Sequence, residues 1–182
     1  MRETILSQGE EIEALLQKLA RDLHAAHGDK PLAFVGIRTR GVILADRLVA
    51  ILKPLRGHIE QGTLDISLYR DDLDNLAALP HIEGSDIPFD VEGATVILCD
   101  DILFTGRTIR AAMNVLLDYG RPECIELAVL ADRGHRELPI AATWCGARVE
   151  TRREDYLRVH FKETDGRDDI THYTTKEARE TE

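Results

Sequence analysis

Little in this sequence points to a membrane, a disulfide framework or a general binder of polyanions. Its 182 residues contain three cysteines, Cys99, Cys124 and Cys145. No two of them form a Cys-x-x-Cys pair, so neither a structural zinc site nor a disulfide scaffold is expected. All three fall in stretches that read as strands, as small core residues in a reducing compartment would. No apolar run approaches the roughly 18 residues of a membrane span, and the amino-terminal stretch lacks the apolar core of a signal peptide. The expectation is a cytoplasmic protein with no membrane partner. Positive charge is in deficit: 23 Lys and Arg against 33 Asp and Glu give a net −10. That argues against general affinity for nucleic acid or acidic lipid but leaves room for a local basic patch. Internal repeats and low-complexity tracts are also missing. What is present, 43% hydrophobic and 31% charged residues, suits one globular domain, residues 1–182, with a sizeable core.

The most informative stretch runs from Val96 to Thr108. Val96 to Cys99 is an apolar run of the kind found in a buried parallel strand. The pattern after the Thr105-Gly106-Arg107-Thr108 turn has helical spacing, at Ile109, Met113, Leu116 and Leu117. Asp100 and Asp101 lie between, at a strand's carboxyl end and ahead of a helix, where open α/β sheets bind ligands. Unpaired amides at the helix start suit an anion. Gly106 permits a tight turn and close approach, Thr105 and Thr108 add hydroxyls, and Arg107 adds a charged donor. Two carboxylates would repel a phosphate, so sugar hydroxyls or a metal ion are their natural partners. A phosphate, a diol and a divalent cation together describe an activated ribose phosphate. The competing structural account is a strand–turn–helix whose acids are merely solvated or cap the helix.

Along the chain, Ser7-x-x-Glu10 reads as a capping box, followed by an amphipathic helix through Ile12, Leu15, Leu16, Leu19 and Leu23 that ends near Gly28. Leu32 to Val35 reads as a buried strand and Val42 to Leu52 as a helix. Between them, Gly36-Ile37-Arg38-Thr39-Arg40-Gly41 is a second loop at a strand's carboxyl end, its arginines suited to pyrophosphate. Thr63 to Tyr69 alternates as a half-buried strand would. A long polar segment runs on to Pro88, either a lid that excludes water or a surface insertion. Strands are expected over Ile125 to Ala131, Ile140 to Cys145, Tyr156 to Phe161 and Ile170 to Tyr173, the last two joined by an Asp165-Gly166 turn. His135 lies in the charged loop 132–139. It is a conceivable acid or base, although a lone loop histidine more often makes a structural hydrogen bond. From Lys176 onward the chain reads as a frayed charged tail. Alternating strands and helices give an α/β fold with a mainly parallel sheet.

The Val96–Thr108 stretch resembles the 5-phosphoribosyl 1-diphosphate (PRPP) signature of type I phosphoribosyltransferases. Longer matches are similar to the PyrR family, pyrimidine-operon regulators with uracil phosphoribosyltransferase activity. They are Val35 to Gly41, Leu64 to Leu73, Gly120-Arg121-Pro122 and Asp132 to Pro139. The resemblance implies a type I phosphoribosyltransferase fold, with a lid at about 70–90 and a hood at about 133–173. It implies Mg²⁺ as cofactor and the conversion of uracil and PRPP to UMP and pyrophosphate. On that footing Asp100 and Asp101 hold the ribose hydroxyls, with possible help to the Mg²⁺ carried by PRPP. Thr105, Gly106, Arg107 and Thr108 cradle the 5-phosphate. Thr39 and Arg40 grip pyrophosphate, and Arg70 adds to this from the lid. Arg133, Leu157 and Val159 belong to the base pocket. Phe104 stands where purine enzymes of the superfamily carry an acid, which counts against hypoxanthine or guanine.

RNA-binding members of the family place basic, polar residues along the first helix and late loops. Here Lys18, Arg21, Arg136, Arg148 and Arg152 are the candidates for a pyrimidine-operon messenger, and a homodimer or higher homo-oligomer is implied. Three rivals stand beside this reading: a UMP-sensing RNA regulator with little turnover, a phosphoribosyltransferase for another base, and a receiver-like domain whose acids hold Mg²⁺. The last has no use for the Thr-Gly-Arg-Thr turn.

Overall fold

The computed structural model describes residues 1–67 and 84–175. In chain order the elements are β1 (Arg2–Gln8), α1 (Glu10–His27), β2 (Leu32–Ile37), α2 (Arg40–Leu52), β3 (Ile59–Leu64), β4 (Thr95–Leu103), α3 (Arg107–Leu117), β5 (Cys124–Asp132), β6 (Trp144–Arg148), β7 (Tyr156–His160), α4 (Lys162–Asp165) and β8 (Asp169–Thr174). Five strands make a parallel sheet in the order β3-β2-β4-β5-β6. The other three make an antiparallel sheet, β1-β8-β7. The whole is an α/β fold, a parallel sheet flanked by helices with a small antiparallel hood beside it.

The parallel sheet is apolar on both faces, and the two-residue period of its strands sorts their side chains into two cores. Phe34, Ile97, Cys99, Ala128 and Leu130 meet α1, α2 and the hood residues Leu157, Val159 and Phe161 on one face. Val35, Ile37, Val96, Leu98 and Val129 meet α3 on the other. No helix among the described residues is long and apolar enough to cross a membrane.

Several sequence expectations shift. Ser7 is not a cap: it lies in β1, Gly9 is the N-cap of α1, and Glu11 accepts from the Gln8 amide at 3.0 Å. The third strand ends at Leu64 rather than beginning at Thr63, because Asp65 leaves the ladder to accept from the amides of Ser67 and Gly84. The strand expected over Ile140 to Cys145 lies at β6 instead. Asp165-Gly166 closes a single helical turn with Gly166 left-handed, not a two-residue hairpin. Cys99 is buried as expected, but Cys124 is exposed and Cys145 only half-buried. Arg70, most of the expected lid and the tail from Lys176 lie outside the described residues.

Candidate functional site

The sheet's strand order reverses between β2 and β4: the chain leaves β2 toward β3 on one side and returns as β4 on the other. The β2–β4 ladder stops at Gly36 and Cys99, while β4 continues beside β5 as far as Leu103. A crevice therefore opens at the carboxyl ends, at the topological switch point. Asp100 and Asp101 occupy the part of β4 that has lost its β2 neighbour.

Two helix N-termini flank the crevice, α2 after β2 and α3 after β4, and neither has a side-chain cap. Apart from the Arg107 amide, which meets the Thr105 hydroxyl at 3.4 Å, such helix starts offer their first-turn amides to an anion, with the helix dipole in support. Glycine sets both loops. A Cβ on Gly41 would lie 2.3 Å from the Cys99 carbonyl oxygen, so only glycine lets the start of α2 press against β4. Gly106, the N-cap of α3, sits at φ +93°, a left-handed conformation open to glycine. The Arg38–Thr39 peptide between β2 and α2 is cis.

The turn's carbonyls are already engaged. Phe104 O accepts from Arg136 at 2.7 Å, Thr105 O from the amides of Glu137 and Leu138 at 3.0 and 3.2 Å, and Gly106 O from Arg110 N at 2.9 Å. The Thr105 hydroxyl receives the Arg107 amide at 3.4 Å. The peptide units are thus turned so that oxygens face the protein. A turn whose carbonyls face inward suits an anion at its outward amides.

Asp100 is buried, and its carboxylate accepts the Asp101 amide at 3.0 Å. Asp101 accepts the Ile102 amide at 3.0 Å. Burial pushes the Asp101 carboxyl above the ordinary range, while Asp100 and the charge of Arg40 pull the other way. Arg40 ion-pairs with Asp165 of α4 at 2.8 Å.

Other expected ligands turn elsewhere. Arg38 donates to Thr63 Oγ1 and Gly84 O, facing β3. Arg107 donates from Nε to Glu137 at 2.6 Å, and Glu137 also pairs with Arg153. The two guanidiniums, Arg107 first, hold the Glu137 carboxyl below its usual range. Arg133 is buried, donates to the carbonyls of Arg152 and Arg153, and lays its guanidinium 4.1 Å from the Phe104 ring centroid. It is a strut beneath Phe104 as much as a pocket wall. The Leu157 and Val159 side chains point into the core with α1 and α2, so only their backbone could meet a base. His135, at φ +60°, donates from Nε2 to Thr151 O at 2.7 Å, the structural bond expected of a loop histidine.

The basic candidates divide. Lys18 (3.1 Å from Asp22), Arg21 and Arg148 are exposed. α1 packs against β6, and Arg148 and Lys18 both lie near the Cys145 thiol, whose pKa burial raises. Arg136 is spent on Asp132 at 2.5 Å and the carbonyls of Phe104, Gly134 and Ile140, and Arg152 on Asp155 and Thr175 O. A cleft of about 600 Å³ opens beside them, lined by residues 132–136 and 148–151. Sequence reasoning missed Asp165 and Glu137, carboxylates whose arginine partners are distant in the chain and give no local pattern.

Residues 3–154 match the phosphoribosyl transferase domain family. The chain is 47% identical over 171 residues to the bifunctional protein PyrR of Elusimicrobium minutum, covering 93% of this chain and 96% of that protein. It is 48% identical over 167 residues to the PyrR of Deinococcus radiodurans, covering 91% of each. Among solved structures, a hypoxanthine phosphoribosyl transferase from Trypanosoma cruzi superposes with a TM-score of 0.71 at 19% identity, covering 94% of this chain and 91% of that one. A hypoxanthine-guanine phosphoribosyltransferase from Bacillus anthracis gives 0.70 at 14%, covering 96% and 100%. At those identities the likeness is one of fold.

Proposed function

The chain belongs to the phosphoribosyl transferase domain family and, within it, to the PyrR family, and from that premise we propose that it transfers the phosphoribosyl group of PRPP to uracil, giving UMP and pyrophosphate. The observation that carries the reading is the pair of uncapped helix N-termini on either side of two strand-end carboxylates. PRPP carries anions at both ends of a diol-bearing ring, and this crevice offers amides, then carboxylates, then amides.

The 5-phosphate sits on the amides of Thr105 to Thr108, and the ribose hydroxyls donate to Asp100 and Asp101. Pyrophosphate lies at the Thr39–Arg40 loop, and Arg70 is assigned to the same leaving group from outside the described residues. Glycosyl transfer passes through an oxocarbenium-like state. The paired aspartates then lie beside the developing positive charge, and the α2 terminus beside the departing negative charge. Among the described residues no cluster of three or more His, Cys, Asp or Glu is placed to cage a metal ion. Asp100 and Asp101 suit a Mg²⁺ that keeps its other oxygens from substrate and water. When bound, that ion neutralises the pyrophosphate oxygens. Phe104 has no proton to exchange with a purine ring, which favours a pyrimidine beneath the hood.

The same pocket, filled with UMP, serves the regulatory half of the reading. Lys18, Arg21 and Arg148 are its exposed contacts for leader RNA, with Arg136 and Arg152 shaping the loops behind them. The edge strand β1, with Ile5 and Leu6 exposed, supports a homo-oligomer, since an uncovered sheet edge invites pairing.

The test offers uracil, orotate, hypoxanthine and adenine side by side with PRPP and Mg²⁺. Uracil alone should be consumed, with UMP and pyrophosphate formed in equal amounts. Consumption of another base, or of none, would refute the assignment.

A further inference from the structure

The hood turn between Phe161 and Asp169 carries three acids, Glu163, Asp165 and Asp168, that pair with one helix, α2. Asp165 reaches Arg40 at 2.8 Å, and Glu163 and Asp168 reach Arg47 at 2.6 and 2.7 Å. Positions 40 and 47 lie two turns apart on the same face of α2. The Asp165 carboxylate is itself held rigidly: Oδ2 accepts the Phe161 amide at 3.0 Å and the Thr164 hydroxyl at 2.7 Å, leaving Oδ1 for Arg40. Burial alone would raise its pKa. Thr164, Phe161 and Arg40 outweigh that, so it stays ionised. The Arg40 guanidinium is only partly satisfied: Nη2 is on Asp165, while Nε is buried and has no acceptor among the described residues.

We propose that Asp165 is a positioning residue acting through Arg40: it occupies one edge of the guanidinium, offsets its charge, and so limits how tightly the Thr39–Arg40 loop holds pyrophosphate. The inference rests on the reading that this loop is the pyrophosphate site. An arginine at a helix N-terminus facing a multiply charged leaving group would, uncompensated, retain the product. A carboxylate fixed at hydrogen-bond distance competes for the same donors. Removing its charge frees those donors and removes a repulsion, which exceeds the orientational freedom Arg40 regains.

The experiment titrates magnesium pyrophosphate, and separately UMP, into the wild type, Asp165→Asn, Asp165→Glu, Arg40→Ala and Arg40→Ala/Asp165→Asn by calorimetry. Asn keeps an oxygen for Phe161 N and Thr164, so the turn is retained, and a thermal melt checks this. Pyrophosphate should bind Asp165→Asn roughly three- to tenfold more tightly than wild type, the range of one charged hydrogen bond in a partly exposed setting. UMP affinity should be unchanged. Asp165→Glu, which keeps the charge, should stay near wild type, and the tightening should vanish in the Arg40→Ala background. Equal or weaker pyrophosphate binding by Asp165→Asn, or the same tightening without Arg40, overturns the proposal and leaves the pyrophosphate reading intact. If Asp165→Asn does not fold, Asp165→Glu paired with Arg40→Ala decides: pyrophosphate affinity in the glutamate variant must track the wild type, and a loss there overturns the proposal. Failure of the wild type to bind pyrophosphate while it binds UMP would remove the loop assignment and this inference together.

Discussion

Asp101 carries a conflict that decides much of the chemistry. Burial favours its neutral form, yet a carboxylate that supports a developing positive charge must be ionised. Arg40 and the hydrogen bond with Asp100 pull it back toward the charged state. The balance still leaves it raised, so the acid limb of the turnover profile should fall at higher pH than an ordinary aspartate, about 3.9, would give. Replacing Arg40 with Ala removes one of the lowering influences and should move that limb further up. A pH–rate series on both proteins measures it, and a limb unmoved or lowered in Arg40→Ala would detach the charge of Arg40 from Asp101. Asp101→Asn should cut turnover by about 10²-fold or more while PRPP still binds, since the lost group acts on charge that develops only during transfer.

At the scale of elements, what could be read from the sequence follows from burial. β4 and α3 were legible because β4 is buried on both faces and the hydrophobic period changes from a run to 3.6 within a few residues. β2 and α2 were legible for the same reason, and β7 because it alternates between an exposed and a buried face. β1 was not, because nearly all its residues are exposed and no apolar face marks it. β3 was misplaced since Ile59, Glu60 and Gln61 are all only half-buried, whereas Leu64, its last residue, and Ile66 just beyond it are buried and alternate as a strand would. The site was legible as two loops but not as one crevice: nothing local says that Gly41 must touch Cys99. That contact is testable. Gly41→Ala forces a methyl group against a backbone oxygen that cannot move independently of the sheet. Such overpacking should cost ~1–3 kcal/mol, read as a melting point lower by several degrees, with PRPP affinity falling as the α2 terminus is pushed from β4. An alanine variant with unchanged melting and unchanged PRPP affinity would show that the close approach is not needed.

Across the whole molecule, the hood is bound to the parallel sheet by charge as well as by the shared core. Arg47 is the hub: its guanidinium lies 4.8 Å from the Phe161 ring centroid and pairs with Glu163 and Asp168, which raises its own pKa. Asp168 also accepts the Lys162 amide at 2.9 Å, with the Lys162 amine at 3.7 Å. Glu163, Asp165 and Asp168 all titrate below their ordinary values, Asp165 at about 2. A carboxylate with a depressed folded-state pKa contributes stability above its unfolded value, near pH 4, and loses it as pH falls through the folded value. The hood clamp should therefore be intact at neutral pH and fail between about pH 4 and pH 2. Urea midpoints measured across that window should fall steeply for the wild type. In Arg47→Gln the pairings with Glu163 and Asp168 are gone before any acid is added, so its midpoint should start lower at neutral pH and decline less. The difference between the two proteins should shrink as pH falls through the lowered folded-state values of Glu163 and Asp168. A constant difference across the window would mean that Arg47 stabilises through its packing on Phe161 and not through the acids of the hood.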